Sequence, residues 1–381
     1  MCARIARMKY IICHVTTVHE ADDVRIFYKE CLSLSKIKNY KVIICAPGSI
    51  PVSSNVVHHK IPKASSYRPL RFFNSQLIAV RLVTKVKASI WHIHDPELLP
   101  LAVLLILMKR RVIWDSHEDY FSQFDSSINY RKYIPSFLRP IVKLMVNFLL
   151  RFIDKKASGI IGATESIAKK YKNNNIALVG NQVVLNDFSL CKPKYTNKTV
   201  IYIGQPSPDQ CYREVVKAIS KVPNLSLVLA CRDISNSEKE FSAKILGHRF
   251  HYLGWLNREE LSSAISDSVV GLVTYSYNSN HQDNQPNKFY EFCAAGLPIL
   301  ATPTKFNNDL VKNSKAGVIS SGYDSKAIEE ALVDITKSKI RWHGYSQSGK
   351  NWVYENGSWA KSEQSLLKLY SKVLIGAEMI D

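Results

Sequence analysis

The sequence has no closely spaced cysteine pair and no long apolar run, and these absences exclude several classes of protein. Its eight cysteines are scattered without a Cys-x-x-Cys pair, so neither a zinc site nor a disulfide framework is indicated. The longest apolar run, 98–108, is interrupted by Pro100 and is too short to cross a bilayer. No signal-peptide core follows the basic N-terminus, because Lys9 leads directly into a strand-like run. We therefore predict a cytoplasmic protein that could also attach peripherally to the inner face of the cytoplasmic membrane.

Acidic residues are also scarce. The chain has 51 basic and 32 acidic residues and a formal net charge of +19. Such an excess indicates an anionic partner, which could be a phosphorylated substrate, an anionic membrane or a nucleic acid. Nucleic acid is the weakest of the three, because no aromatic and basic recognition motif accompanies the charge. We predict that the protein does not bind nucleic acid.

The length and the order of elements predict two α/β domains. A chain of 381 residues is long for one hydrophobic core. In the first half, predicted strands at 10–15 and 41–46 enclose a predicted helix at 24–38. The second half repeats this order, starting from a strand at 199–203. Repeated strand–helix–strand units predict parallel, doubly wound sheets, whose ligands bind beyond the carboxyl ends of the strands. The segment 181–199 lacks periodicity and is predicted to be the linker.

One stretch of the second half, 283–302, combines a polar loop, a short helix and a buried strand. Pro286 suits a helix start, and Gly296 can end the helix with a positive φ. Lys288 and Glu291 fall in the first two turns, close to a helix N-terminus that favours anions. Three- and four-residue spacing predicts an apolar helix face, formed by Phe289, Phe292 and Cys293.

This stretch resembles the nucleotide-sugar motif of retaining glycosyltransferases of family 4, which have the GT-B fold. Asp283 and Glu291 are two acids separated by seven positions, and the run 286–298 is similar to the branch that builds bacterial surface polysaccharides, such as lipopolysaccharide and capsule. The first acid is usually Glu, and here it is Asp. The resemblance implies two Rossmann-like domains facing a cleft: an acceptor-side domain at 1–185, a nucleotide-sugar-binding domain at 186–350, and a C-terminal helix at 351–381 that crosses back to the first domain.

The resemblance also implies roles for single residues. Glu291 would hold the ribose hydroxyls, Asp283 the hydroxyls of the donor sugar, and Lys288 the leaving diphosphate, while His117 would position the sugar. The reaction would retain the anomeric configuration and need neither a metal nor a cofactor beyond the nucleoside diphosphate sugar. Further donor-binding residues would be Gly204, Arg213, Arg232, Gly254, Trp255 and Asn287.

Two departures affect the phosphate contacts. Gln210 and Cys211 stand where the family usually has a basic residue followed by glycine, and Cys231 and Arg232 replace a second glycine. Arg213, Arg232 or Lys288 could supply the missing cation near 210, which makes Lys288 a principal candidate for the diphosphate contact.

The acceptor side is predicted in the first half, at the ends of two strands. His19, Asp23 and Arg25 follow the first strand, although Asp23 could equally be a simple helix cap. His94 and Asp95 end a later strand. His92 and His94 share a strand face, but no third ligand has diagnostic spacing, so no metal is predicted.

The segment 135–156 is a basic amphipathic helix with a very apolar opposite side. It could lie on an anionic membrane or pack on the core with a solvated basic stripe, and the sequence leaves both open.

Two rival functions remain. One is a GT-B nucleotide-sugar epimerase, which would need no acceptor. The other is a non-catalytic partner in a polysaccharide assembly complex, an alternative motivated by the departures near 204–211.

Overall fold

A computed structural model describes residues 10–51, 54–63, 65, 67–118, 120–121, 134–277 and 286–378. The chain divides into two compact units. Unit 1 comprises Met1–Gly180 and Ala360–Asp381, and unit 2 comprises Asn181–Trp359. The predicted domain ranges were 1–185, 186–350 and 351–381. Asp283, the predicted contact of the donor sugar, lies outside the described residues.

Unit 1 contains a parallel sheet in which the described strands have the order β3-β2-β1-β4-β5-β6-β7. The order reverses between β1 and β4, which creates the switch point where ligands of doubly wound sheets bind. The inner strands are largely buried and apolar because helices cover both faces of such a sheet, whereas the edge strand β3 is polar and exposed. The strands of unit 1 are β1 (Tyr10–Val15), β2 (Tyr40–Ala46), β3 (Val57–Lys60), β4 (Ile90–Ile93), β5 (Val112–Ser116), β6 (Gly159–Gly162) and β7 (Ile176–Leu178).

The helices of unit 1 connect these strands. The connection after β1 begins with the π-helical segment Val24–Cys31, which Asp23 caps by accepting hydrogen bonds from the N–H groups of Arg25 and Ile26. The capping alternative for Asp23 is therefore confirmed. The α-helices are α1 (Leu32–Ser35), α2 (Arg68–Lys85), α3 (Leu99–Leu107), α4 (Arg139–Lys156), α5 (Glu165–Ala168) and α13 (Trp359–Glu378), which starts in unit 2.

The tail helix α13 packs on unit 1. Leu366 and Tyr370 are fully buried, and the Tyr370 hydroxyl lies 2.7 Å from Nδ1 of His92 on β4. A Cβ added to Gly159 on β6 would lie 2.9 Å from a methyl carbon of Leu369. Glycine at this position therefore lets the helix lie close to the sheet.

Unit 2 repeats the architecture with a parallel sheet whose described strands have the order β10-β9-β8-β11-β12-β13. Its switch point lies between β8 and β11. The strands are β8 (Thr199–Ile203), β9 (Ser226–Ala230), β10 (Phe250–Gly254), β11 (Ser268–Val273), β12 (Ile299–Ala301) and β13 (Gly317–Ile319). The helices are α6 (Tyr212–Ser220), α7 (Asn236–Leu246), α8 (Arg258–Ser266), α9 (Asn287–Ala295), α10 (Lys305–Ser314), α11 (Ser325–Lys337) and α12 (Lys339–Asn356).

The segment predicted as a linker is instead packed in unit 2. Val183, Phe188 and Cys191 are each at most 2% exposed and join the core beside α9. Irregularly spaced apolar residues give no periodic signal, yet each can fill a separate gap in a core. In the described part of the chain, no helix has the combination of length and apolar character needed to cross a membrane.

Candidate functional site

Helix α9 begins close to the switch point of unit 2, because Lys288 in its first turn contacts the end of β8. It starts at Asn287 directly after Pro286 and ends at Gly296, whose φ of +73° confirms the predicted glycine stop. The predicted apolar face is also confirmed, because its three residues are at most 1% exposed. Gly271 on β11 makes room for this face, since a Cβ there would lie 2.5 Å from the ring of Phe292.

Lys288 is buried in the first turn of α9 and reaches the end of β8. Its Nζ donates hydrogen bonds to the carbonyl of Ile203, at 3.2 Å, and to Oε1 of Gln210, at 3.0 Å. Burial lowers the pKa of Lys288 to about 7, against the opposing effect of the Glu291 charge. The rings of Tyr202 and Tyr275 lie 5.2 and 5.0 Å from Nζ and provide two further weak contacts. An amine with a pKa this close to neutrality gains or loses its charge according to what binds beside it.

The loop after β8 explains how Gln210 and Cys211 are accommodated. Gly204 has a φ of +116°, and Cys211 adopts the left-handed conformation at φ 52° and ψ 28°. Glycine is favoured at a positive φ because a Cβ atom is sterically disfavoured in that region of the backbone map. The loop thus keeps a glycine-type backbone, and Gln210 accepts a hydrogen bond from Lys288 at the position where the resemblance implied a cation.

Glu291 is held by an arginine that sequence reasoning missed. Arg258, the first residue of α8, places a guanidinium nitrogen 2.7 Å from Oε1 of Glu291. Asn257 and Glu260 form a capping box that fixes the start of α8 and hence the origin of this side chain. The ion pair orients the buried carboxylate. The local sequence around Arg258 indicated only a helix start.

Of the remaining predicted donor residues, the structure brings two together and engages a third elsewhere. Arg232 stacks over the ring of Trp255 at 4.1 Å, directly after Gly254, whose φ is +74°. Arg213 is half exposed and pairs with Glu238 at 2.9 Å. Because Arg213 is paired in this way, Lys288 is the buried cation of this site among the described residues. Asn287 lies at the first position of α9.

The loop after β1 in unit 1 is anchored by Asp95. Its Oδ2 accepts hydrogen bonds from the Thr16 hydroxyl at 2.9 Å and from the backbone N–H groups of Thr17 and Val18 at 2.5 and 3.1 Å. Asp95 is 1% exposed. A direct acceptor contact by this side chain conflicts with its burial, so any effect on the acceptor would act through the loop.

His19 and His117 form the more accessible part of the polar cluster in unit 1. Their rings stack with centroids 5.6 Å apart, and their side chains are 38% and 14% exposed. Burial lowers the pKa of His117 to about 3, although Asp115 raises it, so the ring is neutral at physiological pH. Burial also opposes protonation of His19, but the hydrogen bond and charge of Asp23 raise its pKa.

Behind these histidines lies a buried ion pair. Arg25 donates to both oxygens of Asp115, at 3.0 and 3.3 Å, and its Nε lies 3.3 Å from Oε1 of Glu30. His94 is fully buried, and its Nδ1 lies 3.1 Å from Nε2 of His117. Arg25 and His94 were predicted on the acceptor side, and both are buried there, where Arg25 pairs with Asp115 and His94 contacts His117.

Sequence reasoning missed Asp115 and Glu30. Asp115 could have been found, because it is a charged residue in an otherwise apolar run two positions before His117. Glu30 lies in a helical segment with charged neighbours, and nothing in the local pattern separates it from a solvated glutamate.

The comparisons with known proteins agree with this architecture. Residues 187–352 match the family model described as "Glycosyl transferases group 1". No curated protein sequence matches the chain. The matched range contains β8 to β13 and every residue of the site in unit 2.

Three similar solved structures span nearly the whole chain. Sucrose-phosphate synthase from Thermosynechococcus elongatus has a TM-score of 0.72 and 16% identity, and covers 97% of this chain and 100% of its own. Anabaena HepE in complex with UDP-glucose has a TM-score of 0.69 and 9% identity, and the match covers 95% of this chain and 99% of HepE. WaaG, a glycosyltransferase involved in lipopolysaccharide biosynthesis, has a TM-score of 0.66 and 11% identity, and the match covers 93% of this chain and 98% of WaaG. The chain thus has the GT-B fold, and its residues 187–352 are similar to the glycosyl transferases group 1 family.

Proposed function

We propose that the protein transfers a sugar from a nucleoside diphosphate sugar to a hydroxyl of a lipid-linked or polysaccharide acceptor during bacterial surface glycan synthesis, with retention of configuration. The proposal rests on one observation: Lys288 and Glu291 are buried side by side at the N-terminus of α9, at the switch point of the unit 2 sheet. The amine of Lys288 suits a diphosphate, and the carboxylate of Glu291 suits a pair of hydroxyls.

The reaction requires stabilisation of the negative charge that develops on the leaving diphosphate. Lys288 and the N–H groups at the start of α9 are positive groups already in place for this task. A diphosphate beside Nζ would favour the protonated amine and replace the neutral acceptor Gln210 as its partner. We assign no protein nucleophile, and the acceptor hydroxyl attacks from the face that the phosphate leaves.

Glu291 is the proposed contact of the ribose hydroxyls. A carboxylate can accept hydrogen bonds from two vicinal hydroxyls, and the ion pair with Arg258 at 2.7 Å keeps it oriented. Asp283 remains the proposed contact of the sugar hydroxyls, and His117, with its neutral ring, the proposed positioning group for the sugar.

The similar structures support a nucleotide-sugar donor. HepE was crystallised with UDP-glucose and with UDP and glucose, and WaaG is involved in lipopolysaccharide biosynthesis. Transferred to this chain, these findings favour a UDP-sugar and a surface glycan acceptor.

Donor binding is tested by calorimetry with UDP-, GDP- and dTDP-sugars. We expect one sugar nucleotide to bind, and we expect Glu291→Gln and Lys288→Gln to weaken binding at least about tenfold, because each removes a charge-assisted contact. Glu330→Gln and Lys326→Gln, which alter exposed residues of α11, are the matched controls and should bind like the wild type.

The same protein separates the rival functions. Incubation with donor alone yields a changed sugar nucleotide only if the protein is an epimerase. Absence of binding to every sugar nucleotide would refute the enzyme and favour the non-catalytic partner. Once a glycan product is obtained, NMR of its anomeric proton tests retention.

An exposed apolar surface on unit 1 supports a lipid-linked acceptor. Helices α2, α3 and α4 are neighbours along the sheet, and each carries large apolar side chains that are more than 40% exposed. In α4 only Leu150, Ile153 and Asp154 are buried, so the helix packs on the core through a narrow strip and leaves most of its apolar residues exposed. The exposed set comprises Leu70, Phe73, Leu77, Val80, Leu104, Leu107, Met108, Ile141, Leu144, Met145 and Phe148.

Basic residues accompany this apolar surface. Arg81 and Lys85 on α2, Arg110 after α3, and Lys155 and Lys156 on α4 are all exposed. Apolar side chains beside basic ones are the combination that inserts into the headgroup region of an anionic bilayer. We therefore propose that this surface of unit 1 docks on an anionic membrane.

Vesicle flotation tests the docking. The protein should float with vesicles containing phosphatidylglycerol and much less with phosphatidylcholine alone. The double variant Leu144→Glu/Phe148→Glu should lose flotation, whereas Ile340→Glu, a matched change at an apolar residue of unit 2 that is 84% exposed, should keep it. Equal flotation of both variants would refute the assignment to α4.

A further inference from the structure

Three imidazoles and one carboxylate converge in the interior of unit 1. His14 comes from β1, His92 and His94 from β4 and the residue that follows it, and Glu30 from the helical segment 24–31. All four side chains are fully buried, and one potential ligand atom from each lies within 4.8 Å of the others. The strands β1 and β4 are neighbours with His14 opposite His92, so the sheet itself brings the imidazoles together.

The distances between these atoms suit a four-coordinate metal ion. Nδ1 of His14 lies 3.0 Å from Nε2 of His94 and 4.0 Å from Oε2 of Glu30, which lies 3.9 Å from Nε2 of His92. Ligand atoms around a tetrahedral Zn²⁺ are about 3.3 Å apart, as bond lengths near 2.0–2.1 Å require. Small side-chain rotations would therefore close the set around an ion.

The hydrogen bonding of these groups is incomplete within the described residues. Neither oxygen of Glu30 accepts a hydrogen bond, and Nε2 of His92 makes none, although it lies 3.6 Å from Oδ2 of Asp115. Buried polar atoms are nearly always paired, so each exception requires an explanation. Charge points the same way, because the buried carboxylates of Glu30 and Asp115 share the single guanidinium of Arg25. A dication would satisfy the open ligand atoms and balance the second carboxylate.

The nitrogens of His92 and His94 that face away from the cluster are already engaged. Nδ1 of His92 lies 2.7 Å from the Tyr370 hydroxyl on the tail helix. Nδ1 of His94 lies 3.1 Å from His117 and 3.4 Å from Asp115. Such outer partners fix the tautomer and orientation of metal-binding histidines.

We propose that unit 1 binds one divalent transition-metal ion of the zinc class through His14, Glu30, His92 and His94. The sequence argued against a metal because the pair at 92 and 94 had no third ligand, and the fold supplies two. Asp115 is not included, because Arg25 already donates to both of its oxygens. With no open position and no solvent access, the ion would be structural, joining β1, β4 and the helical segment. This inference does not rest on donor binding by unit 2.

Metal analysis of the full-length protein tests the site. The protein is purified through a tag that needs no metal, stripped with dipicolinate and titrated with Zn²⁺, and bound metal is measured by mass spectrometry. We expect one Zn²⁺ per chain and a thermal unfolding midpoint that rises as Zn²⁺ is added. Glu30→Gln and His14→Gln should lose the tightly bound Zn²⁺, while His59→Gln, at an exposed histidine of unit 1, should keep it.

Two results would overturn the proposal. One is a stripped wild type that takes up no Zn²⁺, and the other is equal uptake by the wild type and Glu30→Gln. If the variants fail to fold, Co²⁺ bound to the wild type decides the question. A tetrahedral site gives an intense visible band, and a weak octahedral band or no band refutes the four-ligand set.

Discussion

Replacing Lys288 by methionine should change the stability of the donor-free protein in a pH-dependent way and weaken donor binding. The side chain is 6% exposed, and burial lowers its pKa from 10.5 to about 7. The unfolded chain therefore keeps a proton on this amine over a pH range in which the folded unit releases it. Because the unfolded state binds more protons between these two pKa values, the charged lysine destabilises the fold most below about pH 7, and the penalty falls as pH rises towards about 10.5.

The two pKa values determine the size of the effect. Their difference corresponds to about 5 kcal/mol of unfavourable free energy when the amine is fully charged in the folded state. Between about pH 6 and about pH 9, integration of the linkage relation recovers about 2–3 kcal/mol of this penalty. Methionine has no proton to lose, so the wild type should gain this amount relative to the variant over the same interval.

Urea unfolding followed by hydrogen exchange in peptides from β8 and β11 measures the effect in unit 2. The variant also leaves the Ile203 carbonyl and Gln210 without their donor, which costs about 1–3 kcal/mol per group. That cost does not depend on pH. The informative quantity is thus the change with pH of the difference in unfolding free energy between wild type and variant.

Lys326→Met, at an exposed lysine of α11, controls for the change in net charge. A pH-dependent gap of the same size in this control would show that overall charge, and not burial, causes the effect. A gap for Lys288→Met that stays constant between the two pH values would refute the reasoning.

Three further predictions follow from single contacts. Affinity for a sugar nucleotide should fall as pH rises above about 7, because binding beside an amine with this pKa takes up a proton, whereas Lys288→Gln should show no such pH dependence in calorimetry. Gly271→Ala would place a Cβ 2.5 Å from an aromatic ring carbon and should destabilise unit 2 by about 1–3 kcal/mol. Gly344→Ala, where a Cβ would meet nothing within 4 Å, should be neutral or stabilising in the same urea measurement. Arg25→Met would leave the buried carboxylate of Asp115 without the guanidinium that pairs with it and should cost about 3–5 kcal/mol in unit 1, whereas the exposed control Arg81→Met should change stability little.

Much of the fold could be predicted because its signals are local. The strand bounds 10–15 and 199–203 match the structure, and the helix of the central motif begins and ends where Pro286 and Gly296 indicated. Proline, glycine and periodic apolar residues act on their immediate neighbours, so their effects can be inferred without knowing the fold. The long helix α2, Arg68–Lys85, was not predicted, and its outward apolar residues blur the amphipathic pattern that identifies a surface helix.

The candidate site was only partly predictable, because its partners are far apart in the sequence. Lys288 was recognised from its motif, but its bonds to Ile203 and Gln210 join residues about 80 positions apart. The ion pair of Glu291 with Arg258 also joins residues that are distant in the sequence.

The sequence by itself determined the class of fold, the position of the nucleotide-sugar motif and the scarcity of acidic residues. These depend on local chemistry and composition. Only the tertiary structure decided which groups meet: Gln210 with Lys288, Arg258 with Glu291, and Arg25 with Asp115. The physical reason is that burial and electrostatic partners arise only when distant segments pack together.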